Sequence, residues 1–180
     1  VTNEFSGRKN TATLLRAFDI VRRRYPGTTL RLIGADHGPG EKAEEWAAEH
    51  GLTSGVTFLG MQSREDVLRE MREADLLVHP AREEPFGLVI IEAMSQGLPI
   101  VGGEQSGGVP YILDDGAFGI LVDVDRAEHI AAGVFRYLDN PEDYVRFSAL
   151  GLQRVADAFD NHRITDTYVE AYRDLLAGTW

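Results

Sequence analysis

Two carboxylates seven residues apart, Glu84 and Glu92 in the run Glu84-Pro85-Phe86-Gly87-Leu88-Val89-Ile90-Ile91-Glu92, are the side chains of this chain best placed to do chemistry. Glu92 falls in a nearly continuous apolar stretch, where an unpaired carboxylate is costly to bury. It must find hydrogen-bond donors, either from its own neighbours or from a ligand. Gly87, just ahead of that stretch, would leave free backbone N–H groups at a helix start, an arrangement that suits a phosphate. A second anion-friendly position lies near the amino end, where Arg8 and Lys9 precede another helix start. These positions leave room for a small anionic ligand.

Other chemistries have little support. The chain has no Cys, which excludes disulfide frameworks, zinc knuckles and cysteine nucleophiles and fits a reducing compartment. His37, His50, His79, His129 and His162 are scattered without metal-ligand spacing. Of these, His79 at a strand's carboxyl end is expected to be structural more than a ligand contact. Gly34-Ala35-Asp36-His37-Gly38-Pro39-Gly40 evokes a dinucleotide loop, but its spacing is wrong and it reads as a flexible loop rimming a site. A balance of 18 Lys+Arg against 29 Asp+Glu gives a formal charge of −11, which disfavours nucleic acid, because non-specific binding to it rests on neutralising phosphates. What basic charge there is gathers at the front, at Arg8, Lys9, Arg16, Arg22, Arg23, Arg24 and Arg31. The Arg22-Arg23-Arg24 run reads as a solvated helix end.

The elements that must position these residues alternate in type. Leu14, Leu15, Phe18 and Val21 recur at helical spacing between Asn10 and Tyr25, and Pro26-Gly27 stops that helix. Strands are predicted over Thr28 to Ile33, Val56 to Gly60, Asp75 to His79, Ile100-Val101 and Gly119 to Val122. Between them lie helices over Glu41 to Glu49, from the N-cap Ser63 to about Glu73, over the buried stretch Leu88 to Met94, and near Val109 to Asp114. Helices over about Arg126 to Leu138, Pro141 to Ala158 and Arg163 to Leu176 end the chain. Tyr168, Tyr172, Leu175 and Leu176 on the last share a face and are expected to be core more than recognition surface.

Such alternation with short connections implies an open, doubly wound parallel α/β sheet with extra C-terminal helices. Ligands in such sheets bind beyond the carboxyl ends of the strands, so the loops after Gly34, Gly60, His79 and Val101 should converge. The 180 residues, 43% hydrophobic and 26% charged, can build a core, and no apolar run is long enough to span a bilayer. Val1-Thr2-Asn3 reads as part of a strand with nothing leading into it, so the chain is expected to be a piece of a longer one.

The run EEPFGLVIIEAMSQGLPIV resembles the Glu-x7-Glu segment of the GT-B glycosyltransferases often called family 4, or group 1. The resemblance covers nearly the whole chain. It includes Lys9-Asn10 with Leu14-Leu15-Arg16-Ala17-Phe18, then Leu32-Ile33-Gly34, Val56 to Gly60, Ala74 to Val78, Gly107-Gly108-Val109-Pro110, and Asp115-Gly116 before Gly119 to Val122. The chain is identified as similar to the C-terminal, Rossmann-like domain of such an enzyme, which binds the nucleotide-sugar donor.

The resemblance implies roles. Glu84 would contact donor-sugar hydroxyls, and Glu92 would accept both ribose hydroxyls of the nucleotide. Backbone N–H groups of Phe86, Gly87 and Leu88 would meet the sugar and diphosphate. Lys9 would neutralise the departing phosphate, with Arg8 beside it, and the base would lie against the loops at Gly34 and Gly60. Two positions depart from the family's pattern. Glu4 stands where an Arg is common, leaving Arg8 to take over its task or the loop to be re-routed. Tyr111 replaces a usual acidic residue, which should alter helix packing or capping.

The implied activity is transfer of a sugar, with retention of configuration, from a nucleoside-diphosphate sugar to an acceptor whose class (sugar, lipid or other small molecule) is left open. No metal or other cofactor is expected. Residues 1–160 would form the donor-binding domain. Residues 161–180 would form a helix crossing back to an N-terminal domain of the same enzyme, its apolar stripe partly exposed when that domain is absent. Without that domain the chain should be inactive. A cytoplasmic protein of carbohydrate biosynthesis is expected, with membrane association only through the other half. The alternative is a non-catalytic nucleotide-sugar-binding or scaffold domain descended from such an enzyme.

Overall fold

The computed structural model describes residues 4–178, so the strand expected over Val1-Thr2-Asn3 lies outside the described residues. In chain order the elements are α1 (Thr11–Arg24), β1 (Leu30–Ile33), α2 (Lys42–Glu49), β2 (Val56–Gly60), α3 (Arg64–Arg72), β3 (Leu77–His79) and α4 (Leu88–Ser95). There follow β4 (Ile100–Gly103), α5 (Val109–Ile112), a 3-10 turn (Asp114–Gly116), β5 (Ile120–Val122), α6 (Ala127–Asp139), α7 (Pro141–Ala158) and α8 (Asn161–Ala177). The local chemistry is as the sequence suggests. Ser63 caps α3 by accepting the N–H of Asp66 at 3.1 Å, and Glu65 and Asp66 occupy its first turn, where the helix dipole favours negative charge.

All strand pairs are parallel. β1 pairs with β2, and β4 pairs with β3 on one side and β5 on the other. Adjacent residues of β4 face opposite ways: Val101 joins one core cluster with Leu14, Leu15 and Val21 of α1 and Ile130 and Val134 of α6, while Ile100 joins another with Ile90 and Met94 of α4 and Ile112 of α5. Helices therefore cover both faces, the doubly wound arrangement. One detail differs from the expected single sheet. The ladder comes in two parts, because β1 and β3 pair with other strands and not with each other.

Two burial expectations are corrected. Leu88 begins the helix expected to be buried, yet it is 66% exposed, because it lies on the opposite side of α4 from Ile90, Ala93 and Met94, which reach the core; Val89 and Ile91 pack partly against it. Tyr168, Tyr172, Leu175 and Leu176 are exposed as well, Leu176 at 88%, because α8 docks its apolar face on no described element.

Asn10, at the N-cap of α1, is the main fastening of the strand ends. It adopts the left-handed conformation (φ 59°) that Asn tolerates. Its Nδ2 donates to the carbonyls of Pro80 at 3.1 Å and Val124 at 2.7 Å, and its Oδ1 accepts from Thr13 Oγ1 at 2.6 Å. Asn10→Ala would leave two carbonyls without this donor and put Ala in a strained conformation, costing about 3 kcal/mol. Urea unfolding measures this, and a loss below about 1 kcal/mol would show that the fastening is dispensable.

Candidate functional site

The loop 4–10 carries Lys9 across the carboxyl ends of the strands and lies against the loop that joins β3 to α4. Arg82 N–H donates to the Arg8 carbonyl at 2.9 Å, and the Arg82 side chain bridges the Gly7 carbonyl and the Asp125 carboxylate. Ser6 Oγ accepts from the Lys9 N–H at 3.3 Å. Held in this way, Lys9 is only 7% exposed, and its Nζ donates to Glu84 Oε2 at 3.1 Å. An ammonium has three donors, and Glu84 takes one.

Glu84 is held from the other side by backbone. Its carbonyl accepts the N–H of Gly108 at 2.8 Å, and Ser106 Oγ donates to the Ala81 carbonyl at 2.5 Å. Gly107 has φ +56°, and a Cβ there would collide with the Glu84 carbonyl oxygen; a Cβ on Gly108 would lie 2.7 Å from the Phe86 carbonyl oxygen. Gly87 caps α4 with φ +99°, a conformation that glycine adopts without a Cβ penalty. The N–H groups of the first turn of α4 follow directly, in position for an anion.

The electrostatics centre on Glu84. Partial burial raises its pKa, but the hydrogen bond and charge of Lys9, together with His79, outweigh that and hold it below the ordinary carboxylate value. The imidazole of His79 lies beneath, 1% exposed, with Nε2 at 3.4 Å from Glu84 Oε2 and no directed hydrogen bond on either ring nitrogen. Burial pushes the His79 pKa down to about 4, so the ring is neutral near pH 7.

Glu92 stands elsewhere than expected. Rather than being buried, its side chain is 30% exposed on the open side of α4, and Oε1 accepts from Arg64 Nη2 at 3.2 Å. Arg64 is itself mostly exposed, so the pair is weak and the carboxylate stays available. Arg8 does not lie free for an anion: Nη2 donates to Glu4 Oε1 at 3.1 Å, and Ser6 Oγ donates to the same oxygen at 2.9 Å. The Arg8 hydrogen bond first, and Ser6 second, lower the Glu4 pKa.

Phe86 and Leu88 are exposed beside Gly87, and the Phe86 ring meets Phe159 edge-on at 6.2 Å. Tyr111 reaches the same Phe159 at 6.4 Å, while Arg154 donates to the carbonyls of Tyr111 and Ile112, so the departure at Tyr111 concerns packing. Gly34 and Gly60 are buried and tied together: Gly34 N–H donates to Gly60 O at 2.9 Å and Gly60 N–H to His37 O at 2.9 Å. His37 contacts Thr11 Oγ1 at 3.0 Å, and Gly38 and Gly40 N–H groups donate to Glu41 and Glu44. The loop expected to be flexible is thus a bonded one.

The structure joins Lys9 and Glu84, sets Gly87 beside them, and diverts Arg8. Sequence reasoning missed Arg64, which follows the N-cap Ser63 and gives no signal of a partner on α4, and the fastening role of Asn10. Among the described residues, no group of three or more His, Asp or Glu side chains could hold a metal ion.

Comparison with known proteins places the chain in a family. The model for glycosyl transferases group 1 matches residues 1–154. The D-inositol 3-phosphate glycosyltransferase of Saccharomonospora viridis is 33% identical over 96% of this chain and 42% of that protein; one from Mycobacterium sp. (strain KMS) is 40% identical over 61% and 26%. Among solved structures, a sucrose-phosphate synthase from Thermosynechococcus elongatus superposes with a TM-score of 0.80 at 29% identity, over 97% of this chain and 44% of that one. Anabaena HepE, solved with UDP and glucose, has a similar fold, with a TM-score of 0.79 at 24% identity over 94% and 47%. The chain thus spans less than half the length of these relatives.

The His79 pKa carries a pH dependence. Its folded value lies below the ordinary 6.5, so the unfolded chain takes up a proton that the buried ring refuses, and stability falls as pH drops from about 6.5 towards about 4. Between pH 7 and 5 the loss is about 2 kcal/mol. Glu84, whose pKa is also lowered, adds its own loss only at more acid pH, as its carboxylate protonates. Urea midpoints at pH 7 and 5 should draw together in His79→Asn. An unchanged pH dependence in that variant would remove His79 as the cause.

Proposed function

The chain belongs to the group 1 glycosyl transferases, and we propose that it is the donor-binding half of a retaining enzyme that moves a sugar from a nucleoside diphosphate to an acceptor. The observation that carries this reading is the meeting of Lys9 and Glu84 at the strand ends, directly ahead of the Gly87 start of α4. A buried ammonium, a carboxylate and free helix N–H groups are the three kinds of group a sugar diphosphate needs: charge for phosphate, acceptors for hydroxyls, donors for phosphate oxygens.

The donor would lie with its diphosphate over the first turn of α4, its sugar hydroxyls on Glu84 and its ribose hydroxyls on Glu92, displacing Arg64. The base would rest on the loops of Gly34 and Gly60. In the reaction, an acceptor hydroxyl oxygen bonds to the anomeric carbon on the face from which the diphosphate departs. The carbon–phosphate-oxygen bond breaks, and the acceptor's proton passes to the leaving diphosphate. Lys9 and the amides of Phe86, Gly87 and Leu88 would stabilise the charge that develops on that diphosphate, so catalysis is positioning and electrostatics with no protein nucleophile. Lys suits this task as a compact point charge. No metal has an assigned part in this reading, and the acceptor would be held by the other half of the enzyme.

The engagement of Arg8 with Glu4 favours one alternative, a nucleotide-sugar-binding domain without catalysis, because it removes a cation from the phosphate side. Calorimetric titration and transfer assays on the complete enzyme distinguish the two. Glu92→Ala should weaken nucleoside-diphosphate binding roughly 10- to 100-fold through loss of charge-assisted hydrogen bonds, and unchanged affinity would sink the ribose assignment. Glu84→Ala should leave nucleotide affinity near that of the wild type while lowering transfer. Transfer that survives intact would remove Glu84 from the reaction, whereas a wild-type enzyme that binds the nucleotide sugar and transfers nothing would leave the binding-only reading in its place. Glu4→Ala should free Arg8 and tighten diphosphate binding by roughly two- to fivefold, as expected of an exposed pair. No gain would show that Arg8 does not reach the phosphates.

A further inference from the structure

His79 is a buried ionisable side chain to which the reading above gives no task. It ends β3 on the same face as Leu77, which belongs to the apolar cluster of Ile90, Met94 and Ile112. An apolar residue would continue that cluster. Instead an imidazole sits there, 1% exposed, and neither ring nitrogen has a hydrogen-bond partner among the described residues. Polar atoms buried in this way are costly unless a neighbouring group makes use of them.

The group within reach is Glu84. Nε2 of His79 lies 3.4 Å from Glu84 Oε2, the same oxygen that accepts from Lys9 Nζ at 3.1 Å. An ionised carboxylate only accepts, so a bare Nε2 would set one lone pair against another, and the ring proton belongs on Nε2. Both contacts fall on Oε2, which leaves Oε1 as the oxygen able to face a ligand. Among the described residues, the charged groups that face the ring are Glu84 and Lys9. Glu84 is faced in turn by Lys9 from loop 4–10, His79 from β3 and the Phe86 N–H of its own loop.

We propose that His79 is a positioning residue for Glu84, its Nε2–H holding Oε2 from beneath so that Oε1 is presented to the hydroxyls of the donor sugar. The inference rests on the reading in which Glu84 meets that sugar. Lys9 alone is an insecure holder, because the same ammonium serves the leaving diphosphate, and what it gives to phosphate loosens its grip on Oε2. The imidazole is the other donor at hand. A slight rotation of either side chain aligns Nε2–H with Oε2, and such contacts commonly tighten only in the reaction complex. Burial keeps the ring neutral near pH 7, with its pKa at about 4, so it supplies a donor without a second buried cation. A hydrogen bond to the ionised form lowers the pKa of a carboxyl, and its loss therefore raises that of Glu84.

Two amide variants of the complete enzyme test this. The amide of His79→Gln reaches the place of Nε2, whereas the shorter one of His79→Asn reaches only that of Nδ1. Carbon-13 NMR of the Glu84 carboxyl, assigned with Glu84→Gln, follows its titration in each. The Glu84 acid constant should fall at least about threefold in His79→Asn. Transfer, measured with the donor turned over best among a panel of UDP-, GDP- and ADP-sugars, should lose roughly 10-fold in kcat with KM little changed. The acid limb of its pH profile should move to higher pH, and His79→Gln should recover most of each loss. A Glu84 acid constant equal to that of the wild type in His79→Asn, or losses that are the same in both variants, would overturn the proposal. Glu84→Ala separates it from the reading beneath. If that variant loses transfer while both His79 variants keep it, the positioning role alone fails; if Glu84→Ala transfers as the wild type does, the sugar contact fails and the positioning role with it.

Discussion

The carbonyl groups that end two strands, Pro80 after β3 and Val124 after β5, share a single donor, the side-chain amide of Asn10. This constraint decides where loop 4–10 lies, and the loop decides where Lys9 lies. An amide that satisfied only one carbonyl would leave the loop free to lift from the β3–α4 connection. With both satisfied and Thr13 on its own oxygen, Asn10 accepts a left-handed backbone so that α1 can begin where the strand ends converge. The position of the ammonium is therefore set by neutral hydrogen bonds of short reach.

The charges arranged on that frame are nearly self-cancelling. Lys9 answers Glu84, Arg64 answers Glu92 and Arg8 answers Glu4. The three pairs differ in burial, and the difference ranks them. Lys9 and Glu84 are largely withdrawn from water, where breaking a pair is expensive; Arg64 and Arg8 are open to solvent, where exchange of partners costs little. The surface thus carries one fixed cation and two that can exchange partners. The neutral ring of His79 under Glu84 keeps the buried part of the site free of a second positive charge.

The order and type of the strands and α-helices could be read in the sequence, because helical spacing at Leu14, Leu15, Phe18 and Val21 and the short β-rich runs are local signals; the 3-10 turn at Asp114–Gly116 could not. Glu84, Gly87 and Lys9 could be singled out in the same way, since carboxylate spacing and a helix start are also local, and the structure brings them together. What was not legible depended on partners distant in the chain. The pairing of Arg64 with Glu92 joins α3 to α4, and nothing near Ser63 announces it. Burial of α4 was overestimated because an apolar run does not reveal which of its faces turns away from the core, as that of Leu88 does. The two-part ladder was invisible for the same reason: strand runs in a sequence carry no statement of which edges meet.

The Gly107-Gly108 contact holds the Glu84 loop through main-chain atoms alone, a carbonyl on one side and an N–H on the other, with no room for a Cβ at either glycine. Such a joint is indifferent to what the held loop carries. Substitutions at Glu83, Pro85 or Phe86 would reshape the exposed surface of that loop without loosening the grip, whereas a single methyl at Gly107 would undo it. Mutational tolerance in this region is thus divided sharply between neighbouring loops. The rigid one has little freedom to vary, and the one it grips has much more.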